Sequence, residues 1–65
     1  MKFNELEVVK TLKDFPEEGI KTGDVGTIVM VFTNPNEAYE VEFVNSDGTT
    51  KAMFAILPED LALCH

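Results

Sequence analysis

The stretch that decides the fold is Lys21 to Thr33, KTGDVGTIVMVFT, where a turn signal leads into a block of β-branched and aromatic residues. Strands favour such residues, and a continuous apolar run between turn residues predicts a strand that is covered on both faces. Because glycine tolerates positive φ and close backbone approach, we predict a turn at Gly23 and a bulge or tight crossing at Gly26. This stretch therefore predicts the central strand of a small sheet.

The segment before this stretch predicts a strand and then a long loop. Apolar residues at a spacing of three also fit a helix there, but the β-branched residues favour a strand around Glu7 to Leu12. Lys13 to Asp24 is expected to be a loop, because proline disfavours helix at the preceding Phe15. Phe15 and Ile20 are expected to fold back onto the barrel mouth, so loop anchoring is their simplest interpretation.

The segment after this stretch predicts a hairpin and a closing strand. Ala38 to Val44 alternates between apolar residues and glutamates, which is typical of a strand with one face in water. The buried face would carry Tyr39, Val41 and Phe43, and the other Glu40 and Glu42. Asp-Gly is a hairpin signal, and proline suits the start of a helical turn. We therefore predict, in order, a hairpin at Asn45 to Gly48, a strand at Thr49 to Leu57, one helical turn at Pro58 to Asp60 and a last strand at Leu61 to Cys64.

The order of these elements predicts one mainly β domain that spans residues 1–65. Short strands, a long early loop, tight hairpins and one helical turn near the C-terminus together indicate a small SH3-like barrel of about five strands. An OB-like barrel is the alternative, but that fold normally needs more chain.

The charge balance favours basic proteins as partners. Twelve Asp and Glu residues against five Lys and Arg give the 65-residue chain a formal net charge of −7. Such a surface repels the phosphates of nucleic acids and the anionic lipids of a membrane. The single cysteine excludes an internal disulfide, and no secretory segment or membrane-length apolar run is present in the sequence. We therefore expect a cytoplasmic protein that binds neither membranes nor nucleic acid.

The sequence offers little material for catalysis or metal binding. The only histidine, His65, lies next to the only cysteine, Cys64, and the only serine, Ser46, falls in the predicted hairpin. A nucleophile needs a nearby base, and a structural zinc site needs four ligands with characteristic spacing. We therefore expect no enzyme activity, no metal and no cofactor.

The acidic residues are the candidate partner-binding residues. The loop carries Asp14, Glu17, Glu18 and Asp24, whose spacing does not match a calcium loop. Phe15 would be the apolar anchor at their centre, since hot spots are typically aromatic residues with charged rims. The predicted strand adds Glu40 and Glu42, which together with Glu37 and Asp47 would extend the acidic loop into one patch.

Several blocks of the sequence resemble a family of short bacterial proteins, abundant in cyanobacteria, that is classed only as a domain of unknown function. The blocks are Val8-Val9 with Leu12, Asp14 to Ile20, Gly23 to Val29, Ala38 to Val44, Asp47-Gly48 and Pro58 to Leu61. The resemblance implies an SH3-like barrel and no established activity. Members often occur as compact stand-alone genes, which loosely implies a role in toxin–antitoxin or immunity pairs.

We therefore predict a non-enzymatic, acidic protein-binding module, such as an antitoxin-like or immunity-like inhibitor of a basic partner. GDVGTIV also resembles the glycine-containing strand of KOW-type ribosomal and transcription-factor barrels, so a nucleic-acid-associated or ribosome-associated barrel is the alternative. An accessory barrel docked on a larger enzyme is a third possibility. That role predicts an exposed apolar patch that includes Met30 and Met53.

Overall fold

The structure is a computed structural model, and it describes residues 2–64. Its strands are β1 (Val8–Thr11), β2 (Val25–Phe32), β3 (Ala38–Val44), β4 (Thr50–Ile56) and β5 (Leu61–Leu63), with 3₁₀ turns at Pro16–Glu18 and Pro58–Asp60. The strands form one antiparallel, five-stranded sheet in the order β4-β3-β2-β1-β5. The predicted small, mainly β fold and the turn before the last strand are confirmed, whereas the SH3-like type of barrel stays a prediction.

The strand bounds follow the sequence pattern closely. β3 has the predicted bounds, while β1, β4 and β5 are each slightly shorter than predicted. The hairpin between β3 and β4 is confirmed, because the Gly48 N–H donates to the Asn45 carbonyl and Gly48 has a φ of +89°. β5 pairs with β1 rather than with β4, so the fifth strand lies beside the first.

β2 is the central strand as predicted, but the prediction that both of its faces are covered is wrong. Val25, Met30 and Phe32 are 50%, 50% and 37% exposed. Only one face of β2 therefore packs into the core, and its apolar run needs another explanation.

A β-bulge explains the continuous apolar run of β2. Ile28 and Met30 oppose consecutive residues of β3, which leaves Val29 as the extra residue. A bulge shifts the alternation of a strand by one position. Ile28 therefore lies inward before the bulge and Val31 after it, where Val31 packs against the core. Met30 lies on the opposite, outward side.

The glycines of the deciding stretch have different roles. Gly23 has a φ of +92°, so the predicted turn is confirmed. Gly26 is a tight crossing, because a Cβ there would lie 2.6 Å from Val41 Cγ1 and 2.9 Å from the Glu42 carbonyl oxygen. The bulge of β2 lies at Val29 instead.

The core lies on the inner side of the sheet. It consists of Phe3, Val9, Ile20, Ile28, Tyr39, Val41, Phe43, Ala52, Ile56 and Leu61. The predicted inward face of β3 is confirmed, because Tyr39, Val41 and Phe43 are all buried. The chain before β1 covers one end of the core, where the Phe3 ring packs edge-on against the Tyr39 ring with 5.3 Å between the ring centroids.

Candidate functional site

The loop between β1 and β2 is anchored by its own apolar residues. The Phe15 N–H donates to the Ile20 carbonyl at 2.8 Å, and the Ile20 N–H donates back at 3.1 Å. Ile20 is only 1% exposed, and the half-buried Phe15 ring packs edge-on against Phe54 at 5.1 Å. Loop anchoring by Phe15 and Ile20 is therefore confirmed. Only part of the Phe15 ring is therefore exposed to solvent.

Asp14 and Asp24 hold the same loop in shape. Asp14 Oδ1 accepts hydrogen bonds from the Thr22 N–H at 2.8 Å and the Thr22 hydroxyl at 2.9 Å. These bonds stabilise the carboxylate and lower the pKa of Asp14. Asp24 Oδ2 accepts from the Lys21 N–H at 2.9 Å and lies 4.0 Å from Lys51 Nζ. Both carboxylates thus have structural roles that the sequence pattern did not reveal.

Glu17 and Glu18 face solvent, as the exposed Asp14 does. They lie on the first 3₁₀ turn, which ends at Gly19 in the left-handed region with a φ of +71°. Both glutamates are exposed. Within residues 2–64 the ion pairs are Lys13 with Asp60 and Lys51 with Asp24.

A second surface is the outward side of β2, β3 and β4, which we call the outer sheet face. Its residues are Met30, Phe32, Glu40, Glu42, Met53 and Ala55. Met30 and Ala55 oppose Glu40 from either side, and Met53 opposes Glu42. Residues directly opposite each other on one face are neighbours. Thr27 opposes Glu42 on its β2 side, so each glutamate has a methionine on one side only, and Met30 and Met53 lie diagonally across the two glutamates.

The exposure of the outer sheet face is uneven. Met30 and Met53 are 50% and 52% exposed, whereas Glu40 and Glu42 are half-buried. The Thr50 hydroxyl donates to Glu42 Oε2 at 2.6 Å. The long apolar side chains therefore stand at the edges of the face, and the carboxylates lie between them.

Glu37 and Asp47 lie far from each other on the sheet. They flank opposite ends of β3, a seven-residue strand. At a rise of about 3.4 Å per residue, they lie roughly 20 Å or more apart. Asp47 Oδ1 accepts from the Thr49 N–H and hydroxyl, which lowers the pKa of Asp47 and secures the hairpin. Whether Glu37, Glu40, Glu42 and Asp47 join the loop in one acidic patch stays a prediction.

Glu37 supports the buried tyrosine of β3. The Tyr39 hydroxyl donates to Glu37 Oε2 and accepts from the N–H groups of Lys2 and Phe3, each at 3.1 Å. The bond from Tyr39 lowers the pKa of Glu37, with a smaller contribution from the Lys2 N–H. Burial, followed by the bond to Glu37, raises the pKa of Tyr39. This cluster fastens the chain before β1 to the sheet.

The comparison with protein families identifies the group to which the sequence belongs. Residues 5–63 match the family described as Domain of unknown function (DUF4926). The chain belongs to this family. The family predicted from the sequence blocks, one of unknown function, is thus confirmed. No curated protein and no solved structure matches the chain.

One feature of this DUF4926 chain had no signal in the sequence. Leu6 has a φ of +71° and a side chain that is 78% exposed. Leucine rarely adopts the left-handed region, where the Cβ crowds the backbone. The Leu6 N–H donates to the Ile28 carbonyl at 2.7 Å, and the Ile28 N–H donates to the Glu7 carbonyl at 3.0 Å. The pairing of β1 with β2 thus continues past Val8 and holds Leu6 in place.

The described residues show no prepared site for a metal. Between Lys2 and Cys64, no group of three or more His, Cys, Asp or Glu side chains is placed to hold an ion. The Cys64 thiol is free and exposed, and His65 lies outside the described residues. Open clefts of about 200 and 310 Å³ flank the loop. No helix in the described part is long and apolar enough to cross a membrane.

Proposed function

We propose that this protein is a non-enzymatic, acidic protein-binding module whose partner is a basic protein. The observation that supports this most strongly is the outer sheet face, where half-exposed methionines flank Glu40 and Glu42. Exposed apolar side chains rimmed by polar groups are typical of protein interaction surfaces. The net charge of −7 adds a long-range attraction to a cationic protein, which raises the association rate.

Within this class, we propose an inhibitor of the antitoxin or immunity type. A basic protein such as a nuclease-like toxin binds phosphates with a cationic surface. A small acidic domain competes for that surface because it carries many negative charges on a small area. An accessory barrel on a larger enzyme is the second candidate. The exposed side chains of Met30 and Met53 favour it, because a permanently docked domain keeps such residues covered.

The first experiment identifies the partner and its class. The immobilised protein captures binders from an extract of its native host, and each captured protein is purified and titrated against the free domain by calorimetry. We expect a basic protein that binds in a saturable way with a one-to-one ratio, and whose activity falls when the domain is added. An unaffected activity would favour the accessory-barrel candidate.

A second measurement tests the competing class directly. Labelled RNA and duplex DNA are titrated with the domain at low salt, where even weak phosphate binding appears. We expect no saturable binding, because the surface is strongly acidic. Tight binding of either nucleic acid, or turnover of a substrate by the purified chain, would contradict the proposed function.

A further inference from the structure

We propose that the outer sheet face, rather than the loop between β1 and β2, is the primary docking surface, and that it takes a cationic segment in which apolar side chains alternate with Lys or Arg. This inference rests on the proposed function, because it names the surface and the chemistry of the partner segment. The loop contributes long-range attraction through Glu17 and Glu18.

The arrangement of the outer sheet face sets the pattern that a partner must match. Glu40 and Glu42 are two residues apart on β3, so their carboxylates lie about 7 Å apart along the strand. Met30 and Met53 stand on the strands to either side, about 5 Å from the β3 axis. A segment that crosses this face diagonally, from Met30 to Met53, meets methionine, the two carboxylates and methionine in turn. Alternating apolar and cationic side chains match that order.

Glu40 and Glu42 determine which charge a bound partner segment must carry. Both are already half-buried, so a partner that covers the methionines also removes water from the carboxylates. A desolvated carboxylate is costly unless a cation or a hydrogen-bond donor replaces the water. A purely apolar segment therefore binds poorly. A segment with Lys or Arg opposite Glu40 and Glu42 supplies charge-assisted hydrogen bonds.

The same charges argue against a second copy as the occupant. A symmetric dimer through this face would bring Glu40 and Glu42 of one protomer against those of its partner, and each chain carries a net charge of −7. Like charges placed opposite each other at an interface cost several kcal/mol. A cationic segment of a different protein avoids this repulsion.

The loop is the weaker candidate because its side chains already have partners within the fold. Asp14 is bonded to Thr22, and Asp24 to the Lys21 N–H. The Phe15 ring packs against Phe54. Glu17 and Glu18 are exposed, and the one large apolar side chain that is exposed within residues 12–24 is Leu12, at 49%, so the loop lacks the pair of flanking apolar side chains that the outer sheet face has.

The test uses a defined probe and two charge-matched variants. A labelled 12-residue peptide of alternating lysine and leucine is titrated by fluorescence anisotropy, beside a peptide in which serine replaces every leucine. E40Q/E42Q and E17Q/E18Q remove the same charge from the outer sheet face and from the loop. Removing two charge pairs of moderate strength is expected to weaken binding about tenfold for E40Q/E42Q, and less than about twofold for the distant E17Q/E18Q.

Apolar variants test the other half of the proposal. M30S/M53S shortens both flanking side chains, and Leu12→Ser is the control because Leu12 is 49% exposed but lies outside the face. We expect the double variant to lose most of its preference for the leucine peptide over the serine peptide, while Leu12→Ser keeps it. Circular dichroism melts check that each variant is folded.

Three outcomes would overturn the proposal. They are equal binding by the two glutamine variants, binding of the serine peptide as tight as that of the leucine peptide, and a dimer in sedimentation that M30S/M53S dissociates. The proposed function is tested separately by the capture experiment, because it requires that a basic protein is captured. If that protein binds E40Q/E42Q and M30S/M53S as tightly as it binds the wild type, the proposed function stands and this surface assignment is wrong.

Discussion

Replacement of Gly26 by alanine tests whether the sheet depends on a close crossing at this position. A Cβ at Gly26 would lie 2.6 Å from Val41 Cγ1, 2.9 Å from the Glu42 carbonyl oxygen and 3.0 Å from Phe43 Cδ1. Carbon atoms pack best at about 3.5–4.0 Å, so the neighbours must move by about 1 Å. Val41 Cγ1 moves only if the buried, β-branched side chain changes χ1, and the carbonyl oxygen belongs to β3 and moves only with the strand.

The expected cost follows from overpacking. Forcing an extra methyl group into a packed site costs about 1–3 kcal/mol, and the gain from replacing glycine offsets only about 0.4–1 kcal/mol of it. A 65-residue domain has a total stability of roughly 3–10 kcal/mol. We therefore expect Gly26→Ala to lower the free energy of unfolding by about 1–2 kcal/mol and the melting temperature by about 4–16 °C.

The assay is urea unfolding followed by far-UV circular dichroism, because the chain has no tryptophan. Gly48→Ala is the control, since a Cβ there meets nothing within 4 Å but the φ of +89° is unfavourable for alanine. Gly48→Asn should restore part of that loss, whereas Gly26→Asn should be worse than Gly26→Ala. In a Val41→Ala background, Gly26→Ala should cost less than in the wild type. An equal cost in both backgrounds, or wild-type stability of Gly26→Ala, would refute the reasoning.

Three further variants test individual contacts. Tyr39→Phe removes the acceptor of two backbone N–H groups and the donor to Glu37, so urea unfolding should show a loss of about 1–3 kcal/mol. The pKa of Asp14 is lowered from 3.8 in the folded state, so its stabilisation is present above that value and is lost as the pH falls through the folded pKa. Asp14→Asn should therefore reduce the fall in the free energy of unfolding at acid pH. An unchanged fall would mean that the bonds to Thr22 do not contribute to stability. Leu6→Gly relieves a φ of +71°, and thermal melts should show a gain of up to about 1 kcal/mol, with Leu6→Ala giving none.

Local patterns were sufficient to predict most elements of the fold. The alternation of Ala38 to Val44 gave β3 its observed bounds, because a strand with one face in the core has a strict period of two. Turn chemistry placed Gly23 and Gly48 in the left-handed region. Both signals depend only on residues that are neighbours in the chain, so the sequence alone is enough to interpret them.

The candidate site could be predicted only in part, because it depends on contacts across strands. Glu40 and Glu42 were predicted to lie outside the core, but their position between Met30 and Met53 follows from the register of β2 and β4. Nothing local to Asp14 shows that it bonds Thr22 eight residues later. Likewise, the contact of Phe15 with Phe54 joins a loop to a strand far along the chain.

The bulge at Val29 explains why the apolar run of β2 suggested two covered faces. Deletion of Val29 tests this explanation. Ile28 and Met30 face consecutive residues of β3, and the bonds from β1 reach only as far as Ile28. Removing Val29 therefore keeps the inward and outward sides of every other residue in β2. Removing Thr27 instead shifts the register of β2 against both neighbouring strands.

A one-residue shift of register moves each side chain to the other face of the strand. We therefore expect the chain without Val29 to fold, with lower stability because the strand loses local twist, and the chain without Thr27 to unfold. Circular dichroism and cooperative urea unfolding distinguish these states. If both deletions unfold the chain equally, Val29 is not a simple insertion, and the outward placement of Met30 then requires a cause other than a shift of alternation.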